Sequence, residues 1–257
     1  MGKLDKTAAS GWFVRKSPNA SPRLRLFCFP YAGGGAAAYR TWPRSLPADI
    51  EVIPVELPGR GSRLAEPAFK RVPALIDGLT EAILPVLGTD FAFFGHSMGA
   101  VIAFELAREI RRRRGIQPRH LFASGRRAPQ IPDDDPRIFD LPYDEFVAEL
   151  KTLNGTPKEV LEHAELMELM LPLLRADFEL VHTYEYKPDA PLDCPIAVAG
   201  GLQDTEVPRD VLLPWKENTT KDFTLYMLPG DHFFLRSAQN DLLNLVAREL
   251  LKSPTSY

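Results

Sequence analysis

Six short runs of aliphatic and aromatic residues recur along the 257-residue chain: Leu24–Phe29, Ile50–Val55, Phe91–Phe94, His120–Ser124, Ile196–Ala199 and Phe223–Leu228. Several are apolar almost without a break. A strand that is apolar on both faces must be covered on both faces, which happens inside a parallel sheet layered by helices. Helical-looking stretches separate most of the runs, so the order predicts a doubly wound α/β sheet. The length suits one domain with a sizeable core, and a single domain over residues 1–257 is expected.

A formal net charge of −3 gives nothing global to attract nucleic acid or an anionic membrane. Cys28 and Cys194 both fall in apolar, strand-like runs. They read as small core residues, and buried free thiols fit a reducing compartment better than a disulfide scaffold. The opening MGKLDKTAAS has lysines without an apolar segment behind them, and Lys6 stands where myristoylation needs Ser or Thr. No apolar run approaches the ~20 residues of a membrane span. A cytoplasmic protein is expected.

From Gly99 to Arg114 the pattern predicts a strong helix closed by Gly115. Arg111 to Arg114 form its C-terminal end, where cations complement the helix dipole and face solvent. A longer connection, about residues 128–192, exceeds a simple crossover. It opens with a Pro- and Asp-rich stretch, then turns helical. Thr156-Pro157-Lys158-Glu159 reads as a capping box with Pro at N1, and the amphipathic stretch after it is interrupted by Pro172.

Chemistry concentrates at Gly95-His96-Ser97-Met98-Gly99, a G-x-S-x-G pattern directly after an apolar strand and before the strong helix. That context defines a nucleophile elbow, in which the two glycines permit a sharp turn and Ser97 is held strained and exposed. His96 packs the turn. A nucleophilic serine needs a base, and the base an orienting carboxylate; in this arrangement the chain order is Ser, acid, His. Asp204 follows the run Ile196–Ala199 and His232 follows Phe223–Leu228, both at strand C-termini where the loops of an open α/β sheet gather. Glu206 and Asp231 are weaker candidates for the acid. His120, His163 and His182 read as structural or surface residues.

An oxyanion hole pairs the N–H after the nucleophile with one from the loop after an early strand. Those donors are Met98 and, in Pro30-Tyr31-Ala32-Gly33-Gly34-Gly35, Ala32. Neither G-x-x-x-x-G-K-[ST] nor G-x-G-x-x-G occurs to make that loop a phosphate cradle.

The blocks FCFPYAGGGAAAYRTW, ELPGRGSRLAEP, FFGHSMGAVIAFELAR, SGRRAP, LPLLRAD and GDHFF, in this order, make the chain resemble the type II thioesterases. These act beside polyketide synthases and non-ribosomal peptide synthetases, and the animal medium-chain thioesterase of fatty acid synthesis is a relative. The resemblance runs from about Arg23 to the C-terminal helix. It implies an α/β-hydrolase fold, a mostly parallel central sheet flanked by helices, with the 128–192 insertion as a helical lid. It also implies removal of stalled or mis-primed short acyl groups from the phosphopantetheine arm of acyl or peptidyl carrier proteins. Ser97, Asp204 and His232 carry over as the triad, and Ala32 and Met98 as the oxyanion donors. Glu56 departs from the family, which commonly shows glutamine there, and this bears on local loop contacts.

No metal or cofactor is needed for such chemistry, and a monomer is expected. Two rivals remain: an oxygen-ester hydrolase or acyltransferase on the same fold, and a carrier-binding module without catalysis. Met167 and Met170 are candidates for lining the acyl channel. Arg60, Arg63, Arg126 and Arg127 either form a cationic rim for an acidic carrier protein or pair with acids such as Asp133 and Asp134.

Overall fold

The computed structural model describes residues 11–15, 22–88, 90–133, 136–153, 155–156 and 158–252. Six strands are present: β1 (Leu24–Phe29), β2 (Ile50–Pro54), β3 (Phe91–His96), β4 (Leu121–Ser124), β5 (Ile196–Gly201) and β6 (Phe223–Leu228). All pair in parallel, in the order β2-β1-β3-β4-β5-β6. The helices are α1 (Val72–Ile83), α2 (Met98–Arg114), α3 (Tyr143–Leu153), α4 (Lys158–Leu161) and α5 (Ala164–His182). The chain ends with α6 (Arg209–Leu212), α7 (Phe234–Ser237) and α8 (Gln239–Leu251).

Side-chain alternation divides the core. Phe27, Phe29, Ile53 and Phe93 face α1 and α2, while Leu26, Cys28, Val52 and Phe94 pack with the leucines of α8. Both faces are therefore dry, as the unbroken apolar strands require. The edge strand β6 is only half-buried.

The chain steps outward from β1 to β2, then returns across β1 to β3 and onward. Loops leaving β1 and β3 thus diverge, and the crevice between them is where an open α/β sheet takes its ligand. Phe29 pairs with Gly95 at this point. The loop after β1 and the turn after β3 accordingly emerge side by side.

Helix α2 ends as its sequence predicts, at a left-handed Gly115 (φ 67°) whose N–H bonds the Arg111 carbonyl. Its arginines do more than meet solvent: Arg111, Arg112 and Arg113 pair with Asp189, Glu109, Asp77 and Glu81. Between β4 and β5, helices α3 to α5 build a small core of their own from Ile138, Phe146, Leu150, Met167 and Leu174. Pro172 does not interrupt α5. It removes one rung of the hydrogen-bond ladder, but Met167, Leu173, Leu174 and Ala176 are buried around it and hold the helix. Pro157 and Asp134 lie outside the described residues, so neither the capping box nor that acid is placed. No helix among the described residues is long and apolar enough to cross a membrane.

Cys28 and Cys194 are free and buried. Burial raises the Cys28 thiol well above its usual pKa and pushes Cys194 up to about 12, so neither offers thiolate at neutral pH. The native protein is therefore expected to resist a disulfide-exchange thiol reagent and to titrate 2 thiols once denatured. Rapid labelling of the folded protein would contradict this burial.

Candidate active site

Strand β3 runs into helix α2 through a single residue, Ser97. Among the described residues it is the one non-glycine with a positive φ (52°, ψ −116°), a strain of order 1–3 kcal/mol that only a well-determined surrounding sustains. The surrounding is tight. A Cβ at Gly95 would stand 2.0 Å from the Gly99 carbonyl oxygen, and one at Gly99 would stand 2.2 Å from the Phe29 carbonyl oxygen. The Ser97 N–H donates to the Ser124 carbonyl at 2.8 Å, and the Ser97 carbonyl accepts from Ala100 at 2.9 Å. Ser97 is thereby pinned at the N-terminus of α2, where unsatisfied N–H groups and the helix dipole favour negative charge.

His96 is fully buried beneath this turn, with Nδ1 2.9 Å from Ser124 Oγ. Burial pushes its pKa well below the usual histidine value. It stays neutral and packs against Tyr31, Phe233 and Phe234.

Asp204 follows β5 and His232 follows β6, strands whose ends pair at Gly201 and Leu228. Asp204 Oδ2 lies 2.8 Å from His232 Nδ1, and Oδ1 accepts the N–H groups of Glu206 and Val207 at 3.0 Å. The Asp204 side chain is 0% exposed. Three hydrogen bonds within this buried setting fix its direction. Of the weaker candidates, Asp231 caps its own turn by accepting the Phe233 N–H at 2.8 Å. Glu206 lines the cleft and donates its backbone N–H to Asp204.

The glycine-rich loop after β1 is wired internally. Gly33 N–H donates to Asp177 Oδ2 at 2.8 Å, Gly34 N–H to the Tyr31 carbonyl at 2.9 Å, and Ala36 N–H to Glu56 Oε1 at 3.1 Å. Two carboxylates occupy the donors that a phosphate would need. The departure at Glu56 thus has a local role: it holds the end of this loop. The Ala32 N–H takes no partner among the described residues, and Met98, the first residue of α2, has no helical partner for its own.

Ser97, His232 and Ala32 line one cleft of about 60 Å³. Leu150 and Leu153 of α3, Phe178 of α5, Gly155, Thr156 and Phe233 complete its walls. Met167 and Met170 are not among them; they belong to the insertion's own core. The facing residues are Leu150, Leu153 and Phe178, and no local pattern separates them from their neighbours along amphipathic helices.

The arginines are also accounted for. Arg60 and Arg63 are buried and pair with Asp177 and Glu66. Arg126 and Arg127 both pair with Asp133, their side chains 12% and 13% exposed. None forms an open cationic rim. His120 is buried against Phe122, with burial lowering its pKa to about 4.

A parallel sheet layered by helices, with a strained serine after β3, an aspartate after β5 and a histidine after β6, is the α/β-hydrolase fold. Residues 24–250 match the thioesterase domain family, and the chain belongs to that family. It is 46% identical to the gramicidin S biosynthesis protein GrsT of Aneurinibacillus migulanus, over 93% of each chain. It is 46% identical to the linear gramicidin dehydrogenase LgrE of Brevibacillus parabrevis, over 96% of this chain and 95% of that one. The structure of the type II thioesterase BorB from the borrelidin biosynthetic cluster superposes with a TM-score of 0.86 at 35% identity, covering 93% of this chain and 97% of that one. The protein is an enzyme that hydrolyses thioesters.

The turn geometry gives a direct test. Gly95→Ala forces a Cβ into backbone atoms that cannot yield, and is expected to destabilise the fold by about 3 kcal/mol or more. A melting temperature equal to wild type would contradict the close approach of β3 and α2.

Proposed function

We propose that this thioesterase removes acyl groups from the phosphopantetheine arm of acyl or peptidyl carrier protein domains, editing stalled or mis-primed polyketide or non-ribosomal peptide synthases. The observation that carries the reading is the buried Asp204–His232 pair opening on the cleft that Ser97 also lines. Relatives named for gramicidin S biosynthesis and for the borrelidin cluster support the pathway class. In this reading residues 1–257 form one domain, with α3 to α5 as its lid.

His232, oriented by Asp204, takes the Ser97 proton as Oγ attacks the thioester carbonyl carbon. The N–H groups of Ala32 and Met98 stabilise the oxyanion. Collapse breaks the carbon–sulfur bond, and His232 returns the proton to the leaving pantetheine thiol. A water deprotonated by His232 then attacks the acyl-serine, releasing a carboxylic acid and restoring Ser97. The dehydrogenase named among the relatives suggests a redox reading, which is disfavoured here: Glu56 and Asp177 occupy and charge the loop where a dinucleotide pyrophosphate would sit.

Ser97→Ala is expected to abolish turnover with the fold intact. Wild type quenched on a slow thioester is expected to carry the acyl group on Ser97 by mass spectrometry, and an adduct on either cysteine would sink the assignment. Asp204→Asn is expected to lower kcat on the order of 10⁴-fold, and Asp231→Asn far less; the reverse order would make Asp231 the acid. Comparing acyl thioesters with the matching oxygen esters separates this reading from an esterase. Complete absence of thioester hydrolysis would leave a carrier-binding module.

A further inference from the structure

Arg60 sits in the loop after β2 and Asp177 on α5 of the insertion, 117 residues apart, yet they form a two-pronged ion pair. Arg60 Nη1 and Nη2 donate to Asp177 Oδ2 and Oδ1 at 2.9 and 2.7 Å. Both side chains are nearly sealed from water, at 6% and 2% exposure. Each also reaches past its partner into the loop after β1. Asp177 Oδ2 accepts the Gly33 N–H at 2.8 Å, and Arg60 Nη1 donates to the Gly34 carbonyl at 2.7 Å. One ion pair therefore grips two peptide units of that loop on either side of the Gly33–Gly34 peptide, one by its donor and one by its acceptor.

The gripped segment adjoins Ala32, whose own N–H has no partner among the described residues and whose residue lines the cleft beside Ser97. Gly33 has a positive φ of 73°, and because glycine takes either sign of φ readily, the peptide before it can flip unless something fixes it. Its N–H belongs to the same peptide unit as the Ala32 carbonyl, so the bond to Asp177 sets the orientation of the unit next to the Ala32 amide. A buried ion pair is a poor source of net stability, because desolvation of both charges offsets their attraction. What it supplies is direction: a charged fork paired with a carboxylate admits one geometry.

We propose that Asp177, through Arg60 and Gly33, is a positioning residue for thioester hydrolysis, holding the Ala32 N–H on the oxyanion and making that hold depend on the seating of α5. The inference rests on the proposed role of Ala32 and Ser97. Asp177 touches no reacting atom. Its removal should act on the transition state, where the oxyanion exists, and spare ground-state binding. The insertion thereby does more than wall the cleft: its longest helix completes the loop opposite the serine.

The test measures kcat and KM separately for Asp177→Asn and Arg60→Lys on an acyl-N-acetylcysteamine thioester, below the melting temperature of each variant. A trifluoromethyl ketone analogue, which forms a tetrahedral oxyanion on the serine, is titrated in parallel. Removing one oxyanion donor outright costs about 10²–10³-fold in kcat, so misplacing one is expected to cost roughly 10- to 100-fold. KM is expected to move little, and the ketone to weaken in step with kcat. Arg60→Lys keeps the charge and loses the fork, so it is expected to show the same split if Asp177→Asn does not fold. A lowered melting temperature with wild-type kcat would reduce the pair to a structural tie and overturn the proposal. So would a raised KM with unchanged kcat and ketone affinity. Ser97→Ala is run alongside: if it retains activity the catalytic reading itself fails, whereas an inactive Ser97→Ala beside an unaffected Asp177→Asn fails only the positioning role.

Discussion

Helix α2 approaches strands β1 and β3 so closely that neither Gly95 nor Gly99 has room for a side chain. The gaps to the Phe29 and Gly99 carbonyls are filled by hydrogen at Gly95 and Gly99. Everything at the site depends on this contact. It lets a strand become a helix across one residue, forces Ser97 out of the ordinary backbone regions, and brings the N-terminus of α2 against the loop after β1. The parallel register of β1 and β3 then sets Phe29 beside Gly95, so the loop after β1 and the first turn of α2 emerge side by side.

Around that contact three buried or nearly buried carboxylates hold different parts of the site. Asp204 is bound by two backbone N–H groups and an imidazole. Asp177 is bound by a guanidinium and one backbone N–H. Glu56 takes the Ala36 N–H and has Gly35 and Gly61 packed against its carboxylate. Charge-assisted bonds are shorter and stronger than neutral ones, and inside a protein they resist reorientation. The loops of this site are therefore stiffened by ions where the strands are stiffened by packing.

The sheet was legible in the sequence because its signal is local. Runs such as Phe91–Phe94 and Ile196–Ala199 are buried on both faces and show it residue by residue; the strands merely extend further, to His96 and Gly201, where glycine and histidine hide the pattern. The loop positions of Asp204 and His232 followed from chain order and strand ends. Asp177 was not legible. It lies on an amphipathic helix where an acid usually meets water, and its burial comes from an arginine 117 residues away. For Arg126 and Arg127 the sequence left an open cationic rim and pairing with Asp133 as equal alternatives, because only the folded loop brings Asp133, seven residues beyond Arg126, back against both guanidinium groups. Met167 and Met170 lie on the helix that lines the cleft but toward its far end: Phe178 sits eleven residues, about three turns, beyond Met167 on the same face, and periodicity marks an apolar face without saying which stretch of it meets the cleft.

The two imidazoles of the site have opposite requirements. Ring centres of His96 and His232 are 5.3 Å apart. In the proposed mechanism His232 carries a positive charge at each tetrahedral stage, which Asp204 stabilises. A second cation at the His96 position would oppose that charge by about 3 kcal/mol at an effective dielectric near 20, a loss of roughly 10²-fold in rate. His96 avoids this by being buried completely, which disfavours its charged form, while the Ser124 hydroxyl still gives Nδ1 a hydrogen-bond partner. The same burial that lets the elbow pack therefore keeps its histidine uncharged, and a single histidine in the cleft is left to move protons.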